Sequence, residues 1–142
     1  MSAPRFTMEG CEVTGKVVKV YDADSVTLEF PIPLFKDSPV YKWSCRIVGI
    51  DTAEMRDKRP HFKAHAIAAR DLVREMIMDK EVRAELGGFD KYGRVLATVY
   101  EPEDDTSIGD VLIAEGWALP YDGKAKATEE QWEQLIGKTE NI

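Results

Sequence analysis

Apolar and polar residues alternate in short bursts through the first half of the chain, then give way to a longer helical period. Gly15–Tyr21 and Ser25–Phe30 read as strands separated by Asp22-Ala23-Asp24. In the second, Val26, Leu28 and Phe30 alternate with Ser25, Thr27 and Glu29, the period of a strand with one buried face. Pro31, Pro33 and Pro39 lack the amide hydrogen that a sheet ladder needs, so residues 31–39 are expected to form a long hairpin loop. Alternation resumes with Tyr41, Trp43, Cys45 and Ile47 on one face and Lys42, Ser44 and Arg46 on the other. From about His61 to Met78 the spacing becomes three and four. Ala66, Ala69, Leu72, Val73, Met76 and Ile77 form an apolar stripe opposite Arg70, Asp71, Arg74 and Glu75.

Val82, Ala84 and Leu86 give a fourth strand, broken by Gly87-Gly88, and Arg94–Tyr100 gives a fifth. Ser107 is placed to cap a short helix, with Asp110 three residues on and Gly116 as its stop. Thr128 caps a last helix, Gln131 completes the box, and Trp132, Leu135 and Ile136 share a face. The order β-β-β-α-β-β-α-α suits a β-rich α+β fold: a five-stranded Greek-key β-barrel of OB type with three helices.

A chain of 142 residues suits one domain, residues 1–142 with a core of about 13–137, able to bury a hydrophobic interior without staples. Met1-Ser-Ala-Pro-Arg opens without an apolar run and no stretch approaches membrane-spanning length. The expectation is a monomer with no membrane partner, cytoplasmic by default, with secretion or release left open. Cys11 and Cys45 form no CxxC motif and read as two buried or free thiols, with a bridge between them left open.

The net charge of -7 argues at first against a polyphosphate partner. Charge is unevenly spread, however. Between Arg56 and Arg70 five bases (Arg56, Lys58, Arg59, Lys63, Arg70) face one acid, Asp57, and between Glu101 and Asp110 there are five acids and no base. A local basic face around Arg59 and Lys63 is therefore expected to meet a polyanion, although either run also reads as a solvated surface.

Four segments carry polar residues where apolar strands end. Asp22-Ala23-Asp24-Ser25 joins the first two strands, Arg46 sits within the third, Asp51-Thr52-Ala53-Glu54 follows it, and Asp90-Lys91-Tyr92-Gly93-Arg94 leads into the fifth. Each alone has a bland explanation as a strand cap, an outward arginine or a tight turn with Gly93 at positive φ. Together they supply what phosphodiester hydrolysis needs. Carboxylates bind a hard cation, another activates water, and two guanidiniums meet the charge growing on phosphorus.

In order and spacing, Val20–Leu28, Arg46–Glu54, Asp90–Ala97 and Leu112–Ala118 resemble the staphylococcal nuclease family across about residues 13–121. The resemblance implies a five-stranded OB barrel with three helices and a Ca²⁺-dependent nuclease acting on DNA and/or RNA. It implies cleavage on the 5′-oxygen side that leaves 3′-phosphates. By the same resemblance, Asp24 and Asp51 bind Ca²⁺ through carboxylates and Thr52 through its carbonyl. Glu54 is the general base or orients the attacking water, Arg46 bridges the phosphate and Arg94 stabilises the transition state or the leaving group. Lys91, Tyr92 and Tyr121 lie near the bound nucleotide. The chain departs from the family's Asp-Gly-Asp-Thr and Asp-Thr-Pro-Glu at Ala23, Ser25 and Ala53, and its loop 31–39 is longer than usual.

Two other readings stand beside this one. A non-catalytic OB-fold module binding nucleic acid or protein would lack the acidic and arginine residues, yet Asp24, Arg46, Asp51, Glu54 and Arg94 are all present. A single-strand binder without chemistry would use Trp43 and Tyr41 as platforms, whereas their alternation favours a core face. His61 and His65 lack companion ligands for zinc, and no Ser or Cys sits beside a plausible base.

Overall fold

A computed structural model describes residues 2–140. The larger elements are β1 (Glu12–Asp22), β2 (Ser25–Pro31), β3 (Val40–Ile47), α1 (Pro60–Ile77), β5 (Glu81–Phe89), β6 (Val95–Val99), α2 (Ile108–Ala114) and α3 (Glu129–Glu140). Two short strands, β4 (Ile50–Asp51) and β7 (Leu119–Pro120), pair with each other. At two residues each they are too short to show an alternation. The five longer strands close into a barrel in the order β1-β2-β3-β6-β5, with β3 and β6 parallel and the other pairs antiparallel. The expected OB-type barrel with three helices is the fold of this chain.

The alternation in β2 is realised as read: Val26, Leu28 and Phe30 are buried. They meet Val17 and Val20 of β1, Cys45 and Ile47 of β3, and Val82, Ala84, Leu86, Val95, Ala97 and Val99 from β5 and β6 in one interior. Each larger aliphatic so buried contributes about 1.5–3 kcal/mol. The face of β3 is less uniform. Trp43 is half-buried, stacks on Phe30 at 5.3 Å and donates its Nε1–H to the Phe30 carbonyl at 2.9 Å, while Tyr41 at the rim is exposed. Ile47 and Ile50 are buried, but Val48 is 38% exposed, because it occupies the turn completed by Gly49 at φ +85°.

Helix α1 packs against β1 and buries Ala66, Ala69, Val73 and Ile77 from its apolar stripe, with Leu72 and Met76 at the margin. It has no side-chain cap; Pro60 presets the first turn. The other caps form as the sequence suggests. Ser107 Oγ accepts from the Asp110 amide at 3.1 Å, and Thr128 and Gln131 exchange hydrogen bonds of 2.8 and 3.2 Å. Gly87-Gly88 does not break its strand: β5 runs through both glycines to Phe89. Pairing passes from Leu86↔Ala97 to Phe89↔Val95, so β5 carries one extra residue, a bulge. A Cβ on Gly87 would meet the Leu96 Cβ at 3.2 Å, so the strands approach closely there. Cys45 is buried, Cys11 is half-buried, and both are free thiols.

Candidate active site

Strand register gathers three of the four polar segments at one end of the barrel. Ser25, the first residue of β2, pairs with Arg46, and Arg46 also pairs with Leu96 of β6. The Asp24 carbonyl accepts from the Ile47 amide at 2.8 Å, which ties the β1–β2 turn to the end of β3. Beyond Ile47, the turn at Gly49 brings Ile50-Asp51 back, and the chain continues through Thr52, Ala53 and Glu54. The result is a cleft of about 590 Å³. Asp24, Ser25, Arg46, Asp51, Thr52, Glu54, Tyr92 and Arg94 all line it.

The two arginines are held differently. Arg46 bridges Asp24 at 3.3 Å, with the two side chains only 17% and 14% exposed, and donates to the Ile47 and Ile50 carbonyls. Arg94 is gripped by Asp90. One Asp90 carboxylate oxygen accepts from the Tyr92 and Arg94 amides at 2.8 and 2.9 Å, and the other accepts from Arg94 Nε at 2.8 Å. Burial acts to raise the Asp90 carboxyl. The two amides and the Arg94 guanidinium overcome it and hold the group below its ordinary value. Gly93 takes φ +82°, as expected for this turn. Arg94 Nη1 also lies 3.4 Å from Ser25 Oγ, which is itself 3.4 Å from Asp24, so both arginines connect to the same turn.

The acids share one electrostatic environment. Burial raises the Asp51 carboxyl; Lys126 and Arg46 work against that rise, and Asp24 adds to it. Burial, then the neighbouring Asp24 and Glu54 carboxylates, raises Asp22, which also lines the cleft. The Glu54 side chain is exposed and enters no hydrogen bond or salt bridge among the described residues. Ala23 and Ala53 are buried in the two acidic segments. Ala23 is not among the residues with positive φ, so its side chain costs no backbone strain there.

Comparison with known proteins settles the relationship. The Staphylococcal nuclease homologue family matches residues 44–141, more than half of the chain. The chain belongs to the staphylococcal nuclease homologue family. The matched span contains Arg46, Asp51, Thr52, Glu54, Lys91, Tyr92, Arg94 and Tyr121, while Asp24 precedes it. The chain is 28% identical to the "Probable endonuclease LCL3" of Yarrowia lipolytica over 102 residues, which is 68% of this chain and 43% of that protein. It is 33% identical to the "Probable endonuclease LCL3" of Uncinocarpus reesii over 86 residues, 56% of this chain and 27% of that protein. It is 27% identical to "Protein ParB" of Escherichia coli over 127 residues, covering 83% and 64% of the two chains. The aligned part spans less than half the length of either endonuclease relative.

Within this staphylococcal nuclease homologue, Lys91 and Tyr121 lie outside the cleft lining. Lys91 is exposed, with Nζ 5.2 Å from the Tyr92 ring centroid. Tyr121 lies on a neighbouring groove of about 410 Å³, which shares Arg46 with the cleft and is otherwise lined by Ile47, Val48, Leu96 and the Gly49 and Asp122-Gly123 turns. The basic run does not form one open face. Arg59 pairs with Asp57 at 2.7 Å and with Glu129 at 2.8 Å and lies 3.4 Å over the Phe62 ring, fastening the start of α1 to the start of α3. Its hydrogen bonds drive the Asp57 carboxyl down to about 2. Arg70 is likewise taken up by Asp71. From that run only Arg56 reaches the cleft. The cleft also holds Asp22 and Arg56, which the sequence marked only as members of the first polar turn and the basic run, and Lys126, which it did not mark at all. Asp22 stood in the same turn as Asp24, but Lys126 carries no local signal, since the loop between β7 and α3 delivers it from a distant part of the chain.

Proposed function

We propose that this chain is a Ca²⁺-dependent nuclease that hydrolyses phosphodiester bonds of DNA and/or RNA. It cuts endonucleolytically on the 5′-oxygen side and leaves 3′-phosphate ends. The observation that carries this reading is the convergence of Arg46, Arg94 and the unengaged Glu54 carboxylate on one cleft with Asp24 and Asp51. Family membership and the endonuclease names of two relatives support the same class of chemistry.

The donor set fits calcium. Asp24, Asp51 and the Thr52 carbonyl offer only oxygen, and the Asp51 carboxyl, raised chiefly by burial, gains from a nearby cation. Among the described residues no three Asp, Glu, His or Cys side chains make a metal-holding group by themselves. Water and substrate oxygens would therefore complete the six to eight ligands that Ca²⁺ takes. When bound, the cation supplies positive charge against the phosphate oxygens.

The remaining work falls to the side chains. Glu54 accepts a proton from the attacking water, which adds to phosphorus as the bond to the 5′ oxygen breaks; the leaving oxygen takes its proton from solvent. Arg46 and Arg94 donate to the phosphoryl oxygens, and their charge persists at any working pH. Because hydrogen bonds to Asp24, Asp90 and backbone carbonyls already fix both guanidiniums, little reorganisation is needed as charge develops. Tyr121 lines the groove next to Arg46 and would meet an adjoining base there. The test is to incubate the protein with single- and double-stranded DNA and RNA, with Ca²⁺ or a chelator, and to analyse the ends. Calcium-dependent 3′-phosphates are expected; no cleavage of any of the four substrates would overturn the reading.

A further inference from the structure

The long loop between β2 and β3 meets the N-terminal segment outside the cleft. The Phe6 ring lies 6.1 Å from Phe35 and 6.3 Å from Phe89 by centroids, tilted by 47° and 43°. The three rings are 50%, 57% and 39% exposed. Clustered exposed phenylalanines cost solvation and mark a binding surface. Phe89 reaches this surface at the end of the β5 bulge, directly before the Asp90–Gly93 turn whose Tyr92 lines the cleft. The surface is therefore continuous in the chain with the site.

Cations accompany the rings. Arg5 precedes Phe6, Lys36 follows Phe35, and Lys91 stands two residues past Phe89. All three are exposed and enter no salt bridge among the described residues, as is true of the chain's other lysines. Exposed cations next in the chain to exposed rings suit a polyanion that also offers flat apolar surfaces. A second copy of this chain fits less well, since it would bring like charges together.

We propose that Phe6, Phe35 and Phe89 form a platform on which unpaired bases of a single-stranded nucleic acid stack outside the cleft, with Arg5, Lys36 and Lys91 against its phosphates. The ligand class rests on the nuclease reading, which this deepens by naming single strands. A duplex keeps its bases stacked inside and offers these rings no free face.

The experiment measures binding of the full chain to fluorescent oligothymidylates of about 4 and about 16 nucleotides, the span of single-strand site sizes, and to a blunt duplex, with chelator present to prevent cleavage. The long strand should bind more tightly than the short one and than the duplex. Phe35→Ala should weaken the long strand by roughly 5-fold or more, with a smaller loss on the short one, and Phe35→Trp should restore binding. Leu34→Ala, which removes a still more exposed side chain without a ring, should change little. Phe6→Ala provides a second variant, and an unchanged thermal midpoint shows that each variant is folded. The proposal is overturned if Phe35→Ala and Phe6→Ala bind the long strand like wild type, if Phe35→Trp fails to restore binding, or if Phe35→Ala alters only the sedimentation of the protein. A chain that cleaves nothing yet shows this ring-dependent binding would refute the nuclease reading and keep the platform. A chain that cleaves but binds independently of the rings would do the reverse.

Discussion

Asp90 should control activity without touching substrate, because it holds Arg94 from both ends of the same turn. Its carboxylate accepts three hydrogen bonds at 2.8–2.9 Å, two from amides and one from the Arg94 guanidinium. Asp90→Asn can keep one oxygen toward the Tyr92 and Arg94 amides and so preserve the turn, but it removes the charge facing Arg94 Nε. The released side chain regains up to about 2 kcal/mol of rotamer freedom, which must be lost again when it engages the transition state. At 1.36 kcal/mol per decade, kcat/KM should fall by roughly 10- to 30-fold. Arg94→Ala removes the donor itself and should cost on the order of 10²-fold or more. Asp90→Ala also takes away the amide acceptor, so it should lower the thermal midpoint, where Asp90→Asn does so much less. The decisive assay is the double-mutant cycle. If Asp90 acts through Arg94, Asp90→Asn should add almost nothing in an Arg94→Ala background. Full additivity of the two substitutions, or wild-type kcat/KM in Asp90→Asn, would refute the reasoning.

Other predictions concern the cleft's backbone, its cations and the core thiol. The Ala53 amide donates no backbone hydrogen bond among the described residues, so Ala53→Pro deletes none; it should tighten Ca²⁺ binding by a few-fold through about 1 kcal/mol of saved loop entropy, as calorimetry would show. Arg56→Glu with Lys126→Glu should raise KM at low salt, an effect that shrinks as salt screens it, whereas Arg59→Glu should chiefly lower the thermal midpoint by releasing α3 from α1. Burial pushes the Cys45 thiol from 9.0 up to about 12, so the folded state keeps a proton that the unfolded state loses. Its contribution to stability is whole below pH 9 and is lost between there and about 12, and Cys45→Ala should flatten the alkaline fall in thermal midpoint.

The sequence showed most of the fold where one residue's environment repeats at a fixed period. Val26, Leu28 and Phe30 betray β2, and the stripe from Ala66 to Ile77 betrays α1, because a barrel and a packed helix each bury one face. Reading failed where non-local geometry decides. Gly87-Gly88 looked like a strand end, yet pairing with β6 carries β5 through them as a bulge. Val48 stands between two buried isoleucines, yet the turn at Gly49 leaves it exposed. The cleft was legible in Asp24, Arg46, Asp51, Thr52, Glu54 and Arg94, since their segments end strands that register brings together. Lys126 was hidden because its loop is delivered from elsewhere. The basic run misled for a different reason: charge counts along a sequence do not show that Asp57 and Glu129 already occupy Arg59.

The central claim is that Glu54 takes the proton from water while the arginines hold the phosphate. Single-turnover cleavage of an end-labelled single-stranded DNA, at saturating Ca²⁺ and excess protein, tests it most directly. Glu54→Gln keeps the shape of the side chain, and its binding of the uncleaved strand, measured in parallel, separates chemistry from affinity. The account predicts calcium-dependent 3′-phosphate products from the wild type and a rate lower by on the order of 10²-fold or more in Glu54→Gln, with strand affinity nearly unchanged. A Glu54→Gln protein that cuts at the wild-type rate, or a wild-type rate that survives excess chelator, would contradict it.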